Sequence, residues 1–124
     1  MIHVVEPLSE TARSVLAAYM PEASIKKTQE NGMKNILADM KVRIKKYSDE
    51  EYLGQPTNTI PVKEMIVVTG RPSEQILTAA KTYKEDMIVM GQSSKKVLGS
   101  KVMGSSARRV ARLAKVPILI IPNI

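Results

Sequence analysis

An α/β fold on an open, mostly parallel sheet flanked by helices is what this sequence predicts, and three observations predict it. Four short β-prone apolar runs punctuate the chain: Ile2-His3-Val4-Val5, Met65-Ile66-Val67-Val68, Met87-Ile88-Val89-Met90 and Ile118-Leu119-Ile120-Ile121. Between them lie stretches whose apolar residues recur every three or four positions, the period of a helix with one buried face. The strand, helix, strand, helix, strand spacing of the second half argues for right-handed parallel βαβ units.

Length and composition set the bounds. A chain of 124 residues is one domain, long enough for a core of ordinary size, and 44% hydrophobic residues make it globular. No apolar run approaches the roughly 20 residues needed to span a membrane. The N-terminus lacks the basic-then-apolar layout of a signal peptide, so the expected compartment is the cytoplasm. There is no cysteine, hence no disulfide framework, thiolate metal site or cysteine nucleophile. His3 is the only histidine, which leaves neither a histidine metal cluster nor a histidine-paired nucleophile. No catalytic residue and no metal ligand is therefore expected. Phe and Trp are absent and only four Tyr remain, too few rings for a stacking platform on single-stranded nucleic acid.

The elements follow in order. Ile2 to Val5 reads as a strand that begins with no lead-in and stops at Glu6-Pro7. Ser9 is the N-cap of a short helix whose face is Ala12, Val15, Leu16 and Tyr19, and Pro21 ends it by Met20. Met33, Leu37, Met40, Ile44 and Tyr47, with Ile36 beside them, mark a longer helix. That stripe suits a partner-binding seam or an ordinary core face, and two heptads favour the core face. Ser48 to Pro61 reads as a surface loop, without a composition shift that would divide the chain. The Met65 strand ends at Gly70. Pro72 fits the first turn of a crossover helix with Ile76, Leu77, Ala80 and Tyr83 inward. Met87 to Met90 is of the length and continuity expected for a strand covered on both faces. The last strand, Ile118 to Ile121, lies between Pro117 and Pro122, as an edge strand tolerates, and a bare apolar edge invites pairing with another chain.

The chemistry is concentrated between the last two strands. Gly91 to Ser106 supplies three glycines, five serines and three lysines without a carboxylate. Small residues let a backbone approach a ligand closely, and free N–H groups and hydroxyls donate to oxygens. After Gly104, Ala107, Val110, Ala111 and Ala114 recur as one helical face, which sets Ser105 and Ser106 at a helix start, where anions are favoured. Charge points the same way. The chain carries 19 basic and 12 acidic residues, and from Gly91 onward there are seven basic residues (Lys95, Lys96, Lys101, Arg108, Arg109, Arg112 and Lys115) and no acidic one. An anionic partner should meet this end. Arg108, Arg109, Arg112 and Lys115 are otherwise read as a solvated basic helix face.

The same residues carry a resemblance. Met90-Gly91, Ser94, Gly104-Ser105 and the Val116-Pro117-Ile118-Leu119-Ile120-Ile121 ending are similar to the nucleotide loop and last strand of universal stress proteins (UspA-like). ATP-binding members of that family have Gly-x2-Gly-x9-Gly-(Ser/Thr) here, and this chain keeps both outer glycines and the Ser, with Ser94 in place of the middle Gly. The resemblance implies a three-layer, Rossmann-like, adenine nucleotide alpha hydrolase-like fold, with four strands where the family normally has five. Ile2 to Val5 resembles the family's second strand. The first strand with its acidic end and the first helix have no counterpart in these residues, which leaves open a truncated or swapped form or a start upstream of Met1. Either the Ile2 strand pairs with the Met87 strand or a partner supplies a strand. By resemblance Val4 and Met90 contact the adenine, and Gly91, Ser94, Gly104, Ser105 and Ser106 form the triphosphate loop.

The implied function is a dimeric regulatory protein of the stress response that binds ATP or AMP, with or without magnesium. The implied homodimer uses Ile118 to Ile121. An alternative is a nucleotide-free dimeric interaction module of the same family. A nucleic-acid binder using the basic C-terminal face ranks third. At most weak ATP hydrolysis is expected, and no membrane partner.

Overall fold

The computed structural model describes residues 1–51, 53, 62–93 and 102–122. The chain gathers into two compact units, Met1–Thr69 and Gly70–Ile124. Among the described residues only Ile25, Ile88, Ala107 and Val110 are buried apolar side chains.

In the first unit, β1 (Ile2–Val5) pairs in parallel with β2 (Ile66–Thr69), in the register Ile2 to Ile66 through Val5 to Thr69. The pairing begins at the first residue: the Met1 ammonium donates to the Glu64 carbonyl at 2.7 Å, and the Ile66 N–H donates to the Met1 carbonyl at 2.9 Å. His3 is half-buried opposite Val67, a strand residue among apolar neighbours. Helix α1 (Glu10–Ala17) starts where its cap predicts, Ser9 Oγ accepting from the Ala12 N–H at 3.2 Å. Its expected face is only partly covered: Ala12 and Leu16 are half-buried, whereas Val15 and Tyr19 are exposed. The helix ends at Ala17, so Tyr19 falls in the following turn and the periodic argument no longer applies to it.

Helix α2 (Glu22–Glu51) extends beyond the expected stripe, Met33 to Tyr47, at both ends. It is 30 residues long, about 45 Å at 1.5 Å per residue, and it runs through Asn31-Gly32 at one end and through Ser48 to Glu51 at the other. Pro21 sets its start, because its carbonyl accepts from the Ser24 and Ile25 N–H groups. The less exposed positions Ile25, Gln29, Met33, Leu37, Met40, Ile44 and Ser48 step by four and three along its whole length, and α2 packs against α1 and β2. One continuous face therefore overrides the local cost of Gly32, roughly 0.5–1 kcal/mol relative to Ala. The polar residues from Ser48 onward, read as a loop, are the solvated end of the same helix, with Lys46 and Glu50 paired at 3.7 Å one turn apart. The remainder of the expected loop, 54–61, lies outside the described residues.

The second unit opens at Gly70, whose φ of +140° lies where L-residues are strained. Helix α3 (Pro72–Thr82) begins with Pro in its first turn, β3 (Ile88–Gly91) follows, then α4 (Ser105–Leu113) and β4 (Ile118–Ile121). β3 and β4 pair in parallel from Ile88 with Ile118 to Gly91 with Ile121, and α3 packs on α4.

The α/β class with parallel strands is thus as expected, but the described strands form two two-stranded sheets, β1 with β2 and β3 with β4. The Ile2 strand is partnered by the Ile66 strand and not by the Met87 strand. Nor is β3 covered on both faces. Ile88 is buried and Met90 half-buried, while Val89 is 57% exposed, as are its neighbours Leu119 (49%) and Ile121 (46%) on β4. Alternate residues point to opposite faces of a strand, so one apolar face of this sheet is covered and the other meets solvent.

Candidate functional site

The segment between β3 and β4 begins where the strand ends. Met90 is half-buried in the sheet, and Gly91 is its last paired residue. Among the described residues a Cβ built on Gly91 would meet no atom within 4 Å, so none of them requires glycine at this position. The Gln92 N–H donates to the Ile121 carbonyl at 2.8 Å, extending the ladder one step past the strand.

The return of the segment is held by a short neck. The Gly104 N–H donates to the Gln92 carbonyl at 2.8 Å. A Cβ on Gly104 would lie 3.2 Å from that carbonyl oxygen and 3.3 Å from Ser93 Cα. Two backbone segments cross here so closely that a side chain would push them apart by a few tenths of an ångström. The neck brings together residues twelve positions apart and sets the first turn of α4 beside the end of β3.

That first turn has an unusual chemistry. The N-cap is Gly104, with no side-chain oxygen to accept from the turn, and no acidic residue lies within it. The first intrahelical acceptor bond runs from the Arg108 N–H to the Gly104 carbonyl at 3.0 Å, so the N–H groups of Ser105, Ser106 and Ala107 have no acceptor within the helix. By contrast, α1 has the Ser9 cap and Glu10, α2 has Glu22 and α3 has Glu74. Among the described helices α4 is the one with no acidic residue in its first turn, which favours an anion from outside. Ser105 is exposed and Ser106 half-buried, adding two hydroxyls beside the amides.

Of the predicted site residues, Met90, Gly91, Gly104, Ser105 and Ser106 belong to the second unit and surround this neck. Val4 belongs to the first unit, half-buried on β1 opposite Val68. Ser94 lies outside the described residues, as do Lys95, Lys96 and Lys101. The buried face of α4 is Ala107 and Val110, with Ala114 half-buried. Ala111, expected with them, is exposed, because at 100° per residue it sits at the margin of the stripe.

Sequence reasoning missed two features. The Gln92 carbonyl is backbone, and backbone acceptors leave no sequence signal. Arg109, grouped with the solvated basic residues, turns toward α3: its guanidinium reaches Glu74 Oε1 at 3.6 Å, and Glu74 also accepts from Arg71 at 3.2 Å. The Arg109 Nε is buried without a hydrogen-bond partner among the described residues. A pair separated by 35 positions has no local signature. Elsewhere, a shallow groove on the last turns of α2, lined by Val42, Lys45, Lys46, Asp49, Glu50 and Leu53, shares no residue with this site. No group of carboxylates and His able to hold a metal ion occurs among the described residues, and no described helix is long and apolar enough to cross a membrane.

Comparison with known proteins gives this geometry its relatives. A universal stress protein of Thermus aquaticus, from the region 3' of a QAH/OAS sulfhydrylase gene, is 37% identical over 62 residues, which are 50% of this chain and 45% of that protein. The chain thus matches less than half the length of that curated relative. Among solved structures, hypothetical protein MJ0577, a structural-genomics test case for structure-based assignment of biochemical function, superimposes with a TM-score of 0.58 at 22% identity. The superposition covers 99% of this chain and 74% of that one. Hypothetical protein PH0823 gives 0.60 at 21% identity, covering 99% and 73%. At these identities the two structures establish the shared fold. The universal stress protein family pattern itself matches residues 1–122, so the chain belongs to the universal stress protein family.

Proposed function

We propose that this chain is an adenine-nucleotide-binding, dimeric regulatory protein of the universal stress type, binding ATP or AMP through its phosphates at the first turn of α4. The observation that carries the reading is the uncapped start of that helix, held by the Gly104 neck against the end of β3. Backbone N–H groups of Ser105, Ser106 and Ala107 supply donors of fixed direction, the two hydroxyls add adjustable ones, and the helix dipole favours the charge. Gly91 leaves open space where a phosphate or ribose can approach the backbone. Met90, half-buried at the end of β3, is the apolar contact for the base.

The residues present fit a phosphate better than a metal. No carboxylate occurs from Gly91 to Ile124, so magnesium would be held by the nucleotide's own phosphates and by serine hydroxyls. No chain residue is assigned to hydrolysis, and the expected role is binding. The dimer forms through β4, which among the described strands is partnered by β3 alone and exposes Leu119 and Ile121. The site is proposed to act in the cytoplasm.

Equilibrium dialysis and thermal unfolding with ATP and AMP test the reading. A ligand at 100 times its Kd should stabilise the fold by about 2.7 kcal/mol. No binding and no shift at millimolar nucleotide would leave the second reading, a nucleotide-free dimeric module. Nucleotide released by acid from freshly purified protein and identified by mass spectrometry would remove that alternative.

A further inference from the structure

We propose that the exposed face of α4 docks on the phosphate backbone of duplex DNA. The whole net charge of the chain resides in the second unit. Met1–Thr69 has nine basic and nine acidic residues, whereas Gly70–Ile124 has ten basic residues against Glu74, Glu85 and Asp86. Within that unit α4 sorts its cations by partner. Arg109 is turned toward Glu74, while Arg108, Arg112 and Lys115 are exposed, and no ion pair engages them among the described residues. Arg108 and Arg112 are one turn apart, about 6 Å along the axis, and Lys115 lies just past the C-cap at Ala114. A row of unpaired cations along a helix is the electrostatic footprint of a phosphate backbone, and guanidinium forks suit phosphate oxygens.

The remaining chemistry selects the occupant. Ala107 and Val110 are buried and the exposed apolar residues of α4 are Ala111 and Leu113 alone, too small an area to anchor the helix in a lipid surface. No aromatic residue follows Tyr83, which removes base stacking on a single strand. The major groove of B-DNA, about 12 Å wide, admits a helix, whereas the deep, narrow groove of duplex RNA does not. Contacts to phosphate position a protein without reading sequence, so docking should be indifferent to base order. This proposal uses none of the residues assigned to the nucleotide.

Fluorescence anisotropy of the full chain with a labelled 20-base-pair duplex, over a salt series, is the test. Wild type should bind at low salt, and the triple variant Arg108→Gln, Arg112→Gln, Lys115→Gln should lose about 2.7 from the slope of log K against log salt, the share of three phosphate contacts. Its binding at 50 mM salt should fall more than tenfold. The triple variant Lys41→Gln, Lys45→Gln, Lys46→Gln on α2 should bind as wild type does. Thermal melting checks that both variants fold, and an unchanged ATP response in the α4 variant separates this surface from the nucleotide site. The proposal is overturned if wild type gives no signal at low salt or if the α4 variant keeps its affinity and slope. Tighter binding to a single strand, duplex RNA or anionic vesicles would also overturn it.

Discussion

Two glycines of the same segment do different work, and substitution separates them. At Gly104 a methyl would press on the Gln92 carbonyl at 3.2 Å and on Ser93 Cα at 3.3 Å, so Gly104→Ala must open the neck. It is expected to lower stability in urea unfolding by about 1 kcal/mol or more and to weaken ATP binding at least tenfold. At Gly91 a methyl meets nothing among the described residues, so Gly91→Ala should unfold at or slightly above the wild-type urea midpoint while nucleotide binding falls. Equal affinity in Gly91→Ala and wild type would remove Gly91 from the site. Gly70 is a third case. Its φ of +140° and the approach of Gln75 Nε2 at 2.8 Å to a built Cβ predict that Gly70→Ala costs about 1–3 kcal/mol, read by the same unfolding curves, without a change in nucleotide affinity beyond the loss of folded protein. Gly91 and Gly104 were legible in the sequence as members of a motif, but their separate roles were not, because the distance between two backbone segments is not written in either residue.

Elements were legible wherever a local signal met a long period. Ser9 is read as a cap from its place before a helical pattern, and its hydroxyl accepts from Ala12 as that reading requires. Ser9→Ala should lower stability by about 1 kcal/mol, measured by thermal or urea unfolding, and leave dimerisation untouched. Pro72 and the four strands were found in the same way, to within a residue. Helix α2 was harder, since Gly32 and the polar run after Tyr47 both argue locally for breaks. Its continuity is decided by a face from Ile25 to Ser48 packed on α1 and β2, a tertiary term that outweighs about 1 kcal/mol of local preference. The orientation of Arg109 is another decision of packing, because α3 had to lie against α4 before Glu74 became its partner.

At the scale of the whole molecule, a parallel sheet with a bare apolar face is an incomplete arrangement, since such sheets are ordinarily covered on both sides. Val89, Leu119 and Ile121 expose that face in the second unit, next to the strand proposed to pair in the dimer. Leu119→Lys should therefore convert a dimer into a monomer of 13.7 kDa, as measured by light scattering after size exclusion, while the circular dichroism spectrum is retained. A wild-type protein already monomeric at high concentration, or a variant that stays dimeric, would count against assembly through β4.

The sequence by itself determined the α/β class, the four strands, the glycine and serine spacing and the charge surplus toward the C-terminus, because each depends on near neighbours or on a period. Only the tertiary structure decided which strands pair, how far α2 runs, that Gly104 closes a neck on Gln92, and that Arg109 is engaged by Glu74 while no described residue pairs with Arg108 or Arg112. Those outcomes depend on contacts between residues distant along the chain, whose energies arise only once the backbone has brought them together.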